Sequence, residues 1–475
     1  MESKILAVMG AGPKGLAVAV KAKVLKEFGI AFDRVVLIEK NNVAAHWSGE
    51  AGYTDGTLKL GTSPEKDLVY PLNIDLGDAR LNQRIRQRLM DFSWVAFLVQ
   101  SGEFSDWVDR GRPAPTHTRW SQYLVWVSKQ LGPEVRIIRA EVESIDVKRE
   151  TQQWALNVLC THGLREPSRM TLLADKLMLT GPGKTRADFL NADEHFTDGL
   201  VYDLESFWGR FHVSPLKKGK IAVVGAGENA ASVLLALSKT SYEVDVISPK
   251  GFVSTRSESY YDNRYYSKPE ESGWTELELS DREEFMNRTD LGVFSVHAMQ
   301  ILNEEKGHRI VPGRVNDVRM TNGRVVLSIQ YGRRMTFSEY EHVILATGFD
   351  DIARMRSLFS ADAMEYIESS LNRTLDHDFC RMHIAEDLSL SLLRPKLYLP
   401  MLAGLMQGPG FANLSCLGSL ADRILLSSVQ DSWGYAGDPS ASLGMTGVGK
   451  LGMTGVGKLG MTGVGKLGMT GVGNL

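Results

Sequence analysis

Two stretches of this chain share one anatomy, VMGAGPKGLAVAVKA at residues 8–22 and IAVVGAGENAASVLLAL at residues 221–237. Each has a β-branched, apolar run, then a glycine-rich turn, then small residues at helical spacing. That order dictates strand, tight turn and helix. In the first stretch Gly10 allows the turn, Gly12 lets a pyrophosphate approach the backbone, and Gly15 lets helix and strand pack closely; Pro13 lies in the same turn, and the helix N-terminus faces the anion. A following run, RVVLIEK, ends in Glu39, 27 residues beyond Gly12. This is a little past the usual spacing of about 20 and suits a ribose hydroxyl. Lys40 and Trp47 follow as further contacts. A glycine turn in some other βα unit is the plainer alternative, but strand, turn, helix and acid agree here.

The second cradle keeps Gly225 and Gly227, continues through Glu228 and Asn229, and places Ala230 where a third glycine would stand, a variant that still permits close packing. Its second strand, in YEVDVISPKG, ends in Ser248 with Lys250 just after, and no carboxylate closes it. A carboxylate would repel a 2′-phosphate, whereas a hydroxyl and an ammonium attract one. This favours NADP over NAD, with Arg256 as a further phosphate candidate; both cations equally fit a solvated loop. Two cradles imply two nucleotides, FAD at the terminal one and NADPH at the internal one. The fold class is α/β: two Rossmann-like dinucleotide-binding domains with a smaller substrate-binding region at their junction.

At 475 residues and 43% hydrophobic, the chain can bury a large core in two or three domains. No apolar run reaches 18 residues, and the N-terminus enters the first strand at once, leaving no room for a signal peptide. Cytoplasmic residence is the default expectation. Cys160, Cys380 and Cys416 lie far apart and form no CxxC, so neither a disulfide framework nor a dithiol centre is expected, and no metal. Electrons must then pass through cofactors. A net charge of -3 gives no sign of a nucleic-acid partner.

Residues 1–205 read as the first part of the FAD domain, interrupted by a long aromatic-rich insertion from HWSGEAGYTDG onward that is placed to shape the site. A helix is expected after APTHTRWSQYLVWVSKQLG, with Trp120, Leu124 and Val127 on one face as core residues. Residues 206–340 hold the NADPH domain. YEHVILATGFDD, residues 340–351, reads as a buried strand ending in the cofactor candidates Thr347 and Gly348 and rejoining the first sheet, so that 341–430 returns to the FAD domain and the substrate region. Residues 431–475 form a tail in which LGMTGVGK occurs three times from Leu443, followed by LGMTGVGN. One apolar triplet per eight-residue unit buries little, so a disordered tail is expected.

The order GAGPKG, GAGENAA, ATGF resembles that of class B flavin monooxygenases. LGTSPEKDLVYPLN, RGRPAPTHTRWSQYLVWV, SESYYDNRYYS and QGPGFANLSCLGSLADRIL narrow the resemblance to the N-hydroxylating branch, above all the lysine N6-hydroxylases of mycobactin-type siderophore pathways. It runs from about residue 4 to residue 428 and leaves out the repeat tail. The resemblance implies that NADPH reduces FAD, O2 adds to give a hydroperoxyflavin, and the terminal amine of lysine or ornithine attacks its distal oxygen while NADP stays bound as a lid. It also implies a homo-oligomer, dimer or tetramer.

Three residues carry over to the substrate. Lys66, in PEKDL, matches the family lysine between flavin and substrate; a surface lysine is the plainer reading. Asn263, in YYDNRYY, matches the asparagine that binds the substrate carboxylate, or is a turn residue. Ser415, in NLSCLG, matches a position that holds the substrate's polar end near the isoalloxazine, or is a helix cap. Gln407 and Asn413 are second contacts. The ornithine enzymes carry an asparagine in TNYS where this chain has Val293 in GVFS, which shifts the expected substrate toward lysine. Ornithine or a diamine remain the alternatives. Lys14, in GPKG, meets phosphate or solvent. Two rival readings fit less well. Other class B monooxygenases carry F-x-G-x-x-x-H, but in FWGRFHVSP His212 comes one residue early. A scaffold that had lost catalysis would show broken cradles, and both are intact.

Overall fold

The computed structural model describes residues 4–432 except 31–33, 51, 161–166, 188–198, 212, 215, 217, 258 and 305–307. The repeat tail and His212 therefore lie outside the described residues.

Two five-stranded parallel sheets organise the chain. The first runs Lys396–Tyr398, Lys176–Leu179, Ile5–Met9, Arg34–Glu39, Arg136–Arg139, and the second runs His308–Pro312, Glu243–Ser248, Lys220–Val224, His342–Leu345, Val201–Tyr202. The central strands, Ile5–Met9 and Lys220–Val224, are apolar almost throughout, as strands covered on both faces must be. Leu6, Ala7, Val8, Leu37, Ile221, Ala222 and Val223 are all buried. The helix after each central strand is buried almost all round. Pro13–Glu27 starts with proline in its first turn after Gly12, and Glu228–Ser238 starts after Gly227 with an acid in its first turn, which the helix dipole favours.

The halves repeat one plan. Each inserts a three-stranded antiparallel meander, Glu141–Lys148 with Gln153–Cys160 and Ser168–Ala174 before the fourth parallel strand of the first, and Arg314–Thr321 with Arg324–Tyr331 and Arg334–Tyr340 before the fifth of the second.

This plan corrects one expectation. The 340–351 segment does not rejoin the first sheet: His342–Leu345 pairs with Ile221–Val224 in the second. The strand that returns to the first sheet is Lys396–Tyr398, beside Lys176–Met178. The second sheet also begins at Val201, before residue 206.

The helix His117–Lys129 forms where its apolar spacing places it. Thr116 caps it by accepting from Arg119 N–H, and Trp120, Leu124 and Val127 are fully buried. The final helix, Leu417–Ser432, packs on Pro13–Glu27 and meets it through a buried ion pair, Lys21 Nζ to Asp422 Oδ1 at 2.8 Å. Burial pushes the Asp422 carboxyl up to about 6. Removing one partner strands the other charge in the core. An Asp422→Ala protein should lose about 3–5 kcal/mol of stability, read as a fall in denaturant midpoint, and a Lys21→Met/Asp422→Leu protein should recover most of it.

Candidate active site

A cavity of about 870 Å³ opens along the first cradle and reaches the second. Gly10, Gly12, Pro13, Glu39, Lys40, Trp47 and Ser415 line it from the first half, and Glu228, Asn229 and Arg256 from the second. Gly15, Lys66, Asn263, Gly225, Gly227, Lys250, Thr347 and Gly348 are not in its lining.

The cradle glycines differ in what constrains them. Gly10 has φ +107, and a side chain there would strike Thr180 Oγ1. A side chain on Gly15 would strike the Gly10 carbonyl, so Gly15 is a packing glycine beneath the cavity. Gly12 has nothing within 4 Å of where its Cβ would lie. That open space, beside the unsatisfied N–H groups of a helix start, fits a dinucleotide pyrophosphate. Glu39 closes the cradle by accepting from Ala11 N–H at 2.8 Å and Asn41 N–H at 2.9 Å. Lys40 pairs with Glu141 at 2.9 Å. Trp47 meets His117 edge-on, with ring centroids 4.8 Å apart, and burial holds the His117 imidazole down at about 4, so it is neutral at working pH.

At the second cradle Gly225 has φ +124, and a side chain there would strike the Ala346 carbonyl. Thr347 and Gly348 thus sit beside the second cradle. The equivalent residues at the first are Thr180, whose hydroxyl donates to Met9 O at 2.6 Å, and Gly181, which lines the cavity. The signal for them was available: LMLTGPG at 177–183 echoes VILATGF at 343–349 as an apolar run ending in Thr-Gly. The two exits cross as a short antiparallel pair, Lys184–Thr185 with Phe349–Asp350.

One phosphate candidate is corrected. The Ser248 hydroxyl is buried and donates to Phe252 O at 2.8 Å, so it is not free to meet a phosphate. Arg256 is ion-paired with Asp290 at 3.0 Å and belongs to the shared cavity. Lys250 is an exposed turn residue after strand Glu243–Ser248.

Lys66 and Asn263, 197 residues apart, meet directly: Lys66 Nζ donates to Asn263 Oδ1 at 2.7 Å. Ser259 caps the helix Tyr260–Ser267 that carries Asn263. Lys66 is held from the next residue. The buried Asp67 accepts from Val69 N–H at 3.0 Å and Trp94 N–H at 2.7 Å, and burial pushes its carboxyl up to about 7. Asn413 Oδ1 accepts from Ser415 N–H at 2.9 Å, tying that segment to itself. Gln407 is engaged elsewhere, with Nε2 donating to Ile384 O and Oε1 accepting from Arg423. Val293 is buried in a short strand beside Ser254. Among the described residues no cluster of His, Cys, Asp or Glu is placed to hold a metal, and no helix is long and apolar enough to cross a membrane.

Paired dinucleotide cradles, a cavity common to both and a lysine–asparagine pair beside it define the class. The sequence matches the family described as L-lysine 6-monooxygenase/L-ornithine 5-monooxygenase over residues 86–351. It is 37% identical over 430 residues to L-lysine N6-monooxygenase MbtG of Mycolicibacterium paratuberculosis, covering 89% of this chain and 95% of that one. It is 38% identical over 426 residues to the protein of the same name from Mycobacterium tuberculosis, covering 88% and 94%. Among solved structures, lysine monooxygenase NbtG of Nocardia farcinica superposes with a TM-score of 0.74 at 34% identity, covering 89% of this chain and 99% of that one. Ornithine hydroxylase PvdA of Pseudomonas aeruginosa shares the fold, with a TM-score of 0.69 at 20% identity, covering 90% and 99%. The chain belongs to the L-lysine 6-monooxygenase/L-ornithine 5-monooxygenase family.

Proposed function

We propose that this chain is an FAD- and NADPH-dependent monooxygenase that hydroxylates the side-chain amine of L-lysine, forming N6-hydroxylysine for hydroxamate siderophore assembly. The observation that carries this is the single cavity lined from both cradles, with the Lys66–Asn263 pair beside it. Relatives named as L-lysine N6-monooxygenases support lysine as the substrate.

When bound, FAD reduced by NADPH supplies the oxygen-activating chemistry; the residues bind, orient and hold protons. Gly12 and the N-terminus of helix Pro13–Glu27 take the FAD pyrophosphate, and Glu39 takes its ribose. Gly225, Gly227 and Lys250 take NADPH, while Glu228, Asn229 and Arg256 face the junction. Lys66, Asn263 and Ser415 face the substrate, with the Asn263 amide on its carboxylate. The amine must be neutral to attack. A lysine ammonium has a pKa near 10.4, so neutralising it at pH 7 costs about 5 kcal/mol, and a nearby Lys66 cation in a water-poor pocket lowers that cost. Asn263 favours an amino acid over a diamine, and Val293 offers no polar contact of the kind the ornithine enzymes carry. A homo-oligomer, dimer or tetramer, in the cytoplasm accompanies this reading by family.

The test is hydroxylamine formed per NADPH consumed, with FAD supplied, across L-lysine, L-ornithine, cadaverine and putrescine. Coupled product from L-lysine above the other three is expected. Tight coupling with ornithine alone would replace the substrate, and peroxide alone with all four would overturn the reaction.

A further inference from the structure

Lys14 stands in the first turn of helix Pro13–Glu27, where phosphate and solvent were the two expectations, and it is buried away from solvent. It is 8% exposed, and its Nζ donates to Ala412 O at 2.9 Å and Met401 Sδ at 3.0 Å. Those contacts span 398 and 387 residues of sequence. An ammonium carries three donors, so one remains beyond these two. Lys14, Met401 and Asn413–Ser415 all line the cavity. The charge is thus fixed against the segment that begins at Ala412, while Glu39, on the ribose side, is engaged by Ala11 and Asn41.

We propose that Lys14 is the cation serving the redox end of bound FAD: anchored on Ala412 and Met401, it ties the flavin cradle to the substrate-side segment and stabilises the negative charge that the cofactor gains on reduction. This rests on the cavity being the FAD site. NADPH delivers a hydride, which is two electrons and one proton, and becomes NADP⁺. With no further proton taken up, the reduced cofactor is one charge more negative. Solvent screens a buried ammonium little, so its attraction for that charge is strong. Asp351 and Asp290 favour its charged form, against a burial that holds its pKa down at about 8. The ammonium is therefore present at neutral pH and lost as pH rises through that value.

The experiment is the midpoint potential of bound FAD against pH, in the wild-type protein and in Lys14→Met, which keeps the apolar stem and removes the charge. At neutral pH the variant should be harder to reduce, with a more negative potential, and the two curves should close on each other as the wild-type lysine loses its proton. Equal potentials at neutral pH in a variant that still holds FAD would overturn the proposal. Should Lys14→Met not fold, the wild-type curve alone decides: it should fall more steeply once pH passes the Lys14 pKa, and an unchanged slope there overturns the assignment. A wild-type protein that gains no flavin absorbance with FAD in excess would overturn the cavity assignment, and this one with it.

Discussion

Lys66→Met should cut hydroxylated product by about 100-fold or more while NADPH oxidation continues and peroxide appears instead. Both effects follow from the position of Lys66. Its ammonium reaches Asn263 at 2.7 Å from a loop fixed by Asp67, and it takes no part in either cradle. Reduction of the flavin is therefore untouched, whereas the substrate amine loses both its orienting partner and the cation that favours its neutral form. A positioned group of this kind commonly contributes about 10²–10³ in rate. Asn263→Ala should be the milder change, and the double variant should lose less than the two single losses combined, because the pair shares one bond. Full coupling in Lys66→Met would remove Lys66 from the mechanism.

Gly225→Ala should raise the NADPH concentration needed for flavin reduction by about 100-fold and leave reduction by dithionite unchanged. At φ +124 a side chain costs about 1–2 kcal/mol before any contact, and here it would also strike the Ala346 carbonyl. The second cradle must open or its neighbouring strand must move, and either change spoils the turn that meets the nucleotide. Gly10→Ala makes the same error at Thr180 and should lose bound FAD itself. Flavin absorbance and NADPH-dependent bleaching therefore separate the two variants. A Gly225→Ala protein with wild-type NADPH dependence would show that the nucleotide does not use this turn.

Much of this was legible in the sequence, for a physical reason. Glycines that a turn or close packing requires cannot be replaced without cost, so Gly10, Gly15 and Gly225 mark their own surroundings. A buried parallel strand carries no such mark. VILAT and LMLT are interchangeable as apolar runs, and nothing local says which sheet each joins; the register with Ile221–Val224 decides it. The meanders were missed because their exposed strands mix polar and apolar residues unevenly, as in Ser168–Ala174. Resemblance put Lys66 and Asn263 each at the substrate, but their mutual contact had no signal, since no local pattern links residues 197 apart. Lys14 was read from its own turn, but Met401 and Ala412 determine its environment.

The placement of the fifth strand in each sheet gives the chain a folding order. Every strand of the second sheet lies between Val201 and Leu345, so that half has all its strands once they leave the ribosome. The first sheet, begun earlier, waits for Lys396–Tyr398 to cover Lys176–Met178 and for Leu417–Ser432 to seal helix Pro13–Glu27. The half synthesised first should therefore mature last. Chains truncated just before Lys396 should leave the second sheet protected from proteolysis and the first sheet's edge open to cleavage.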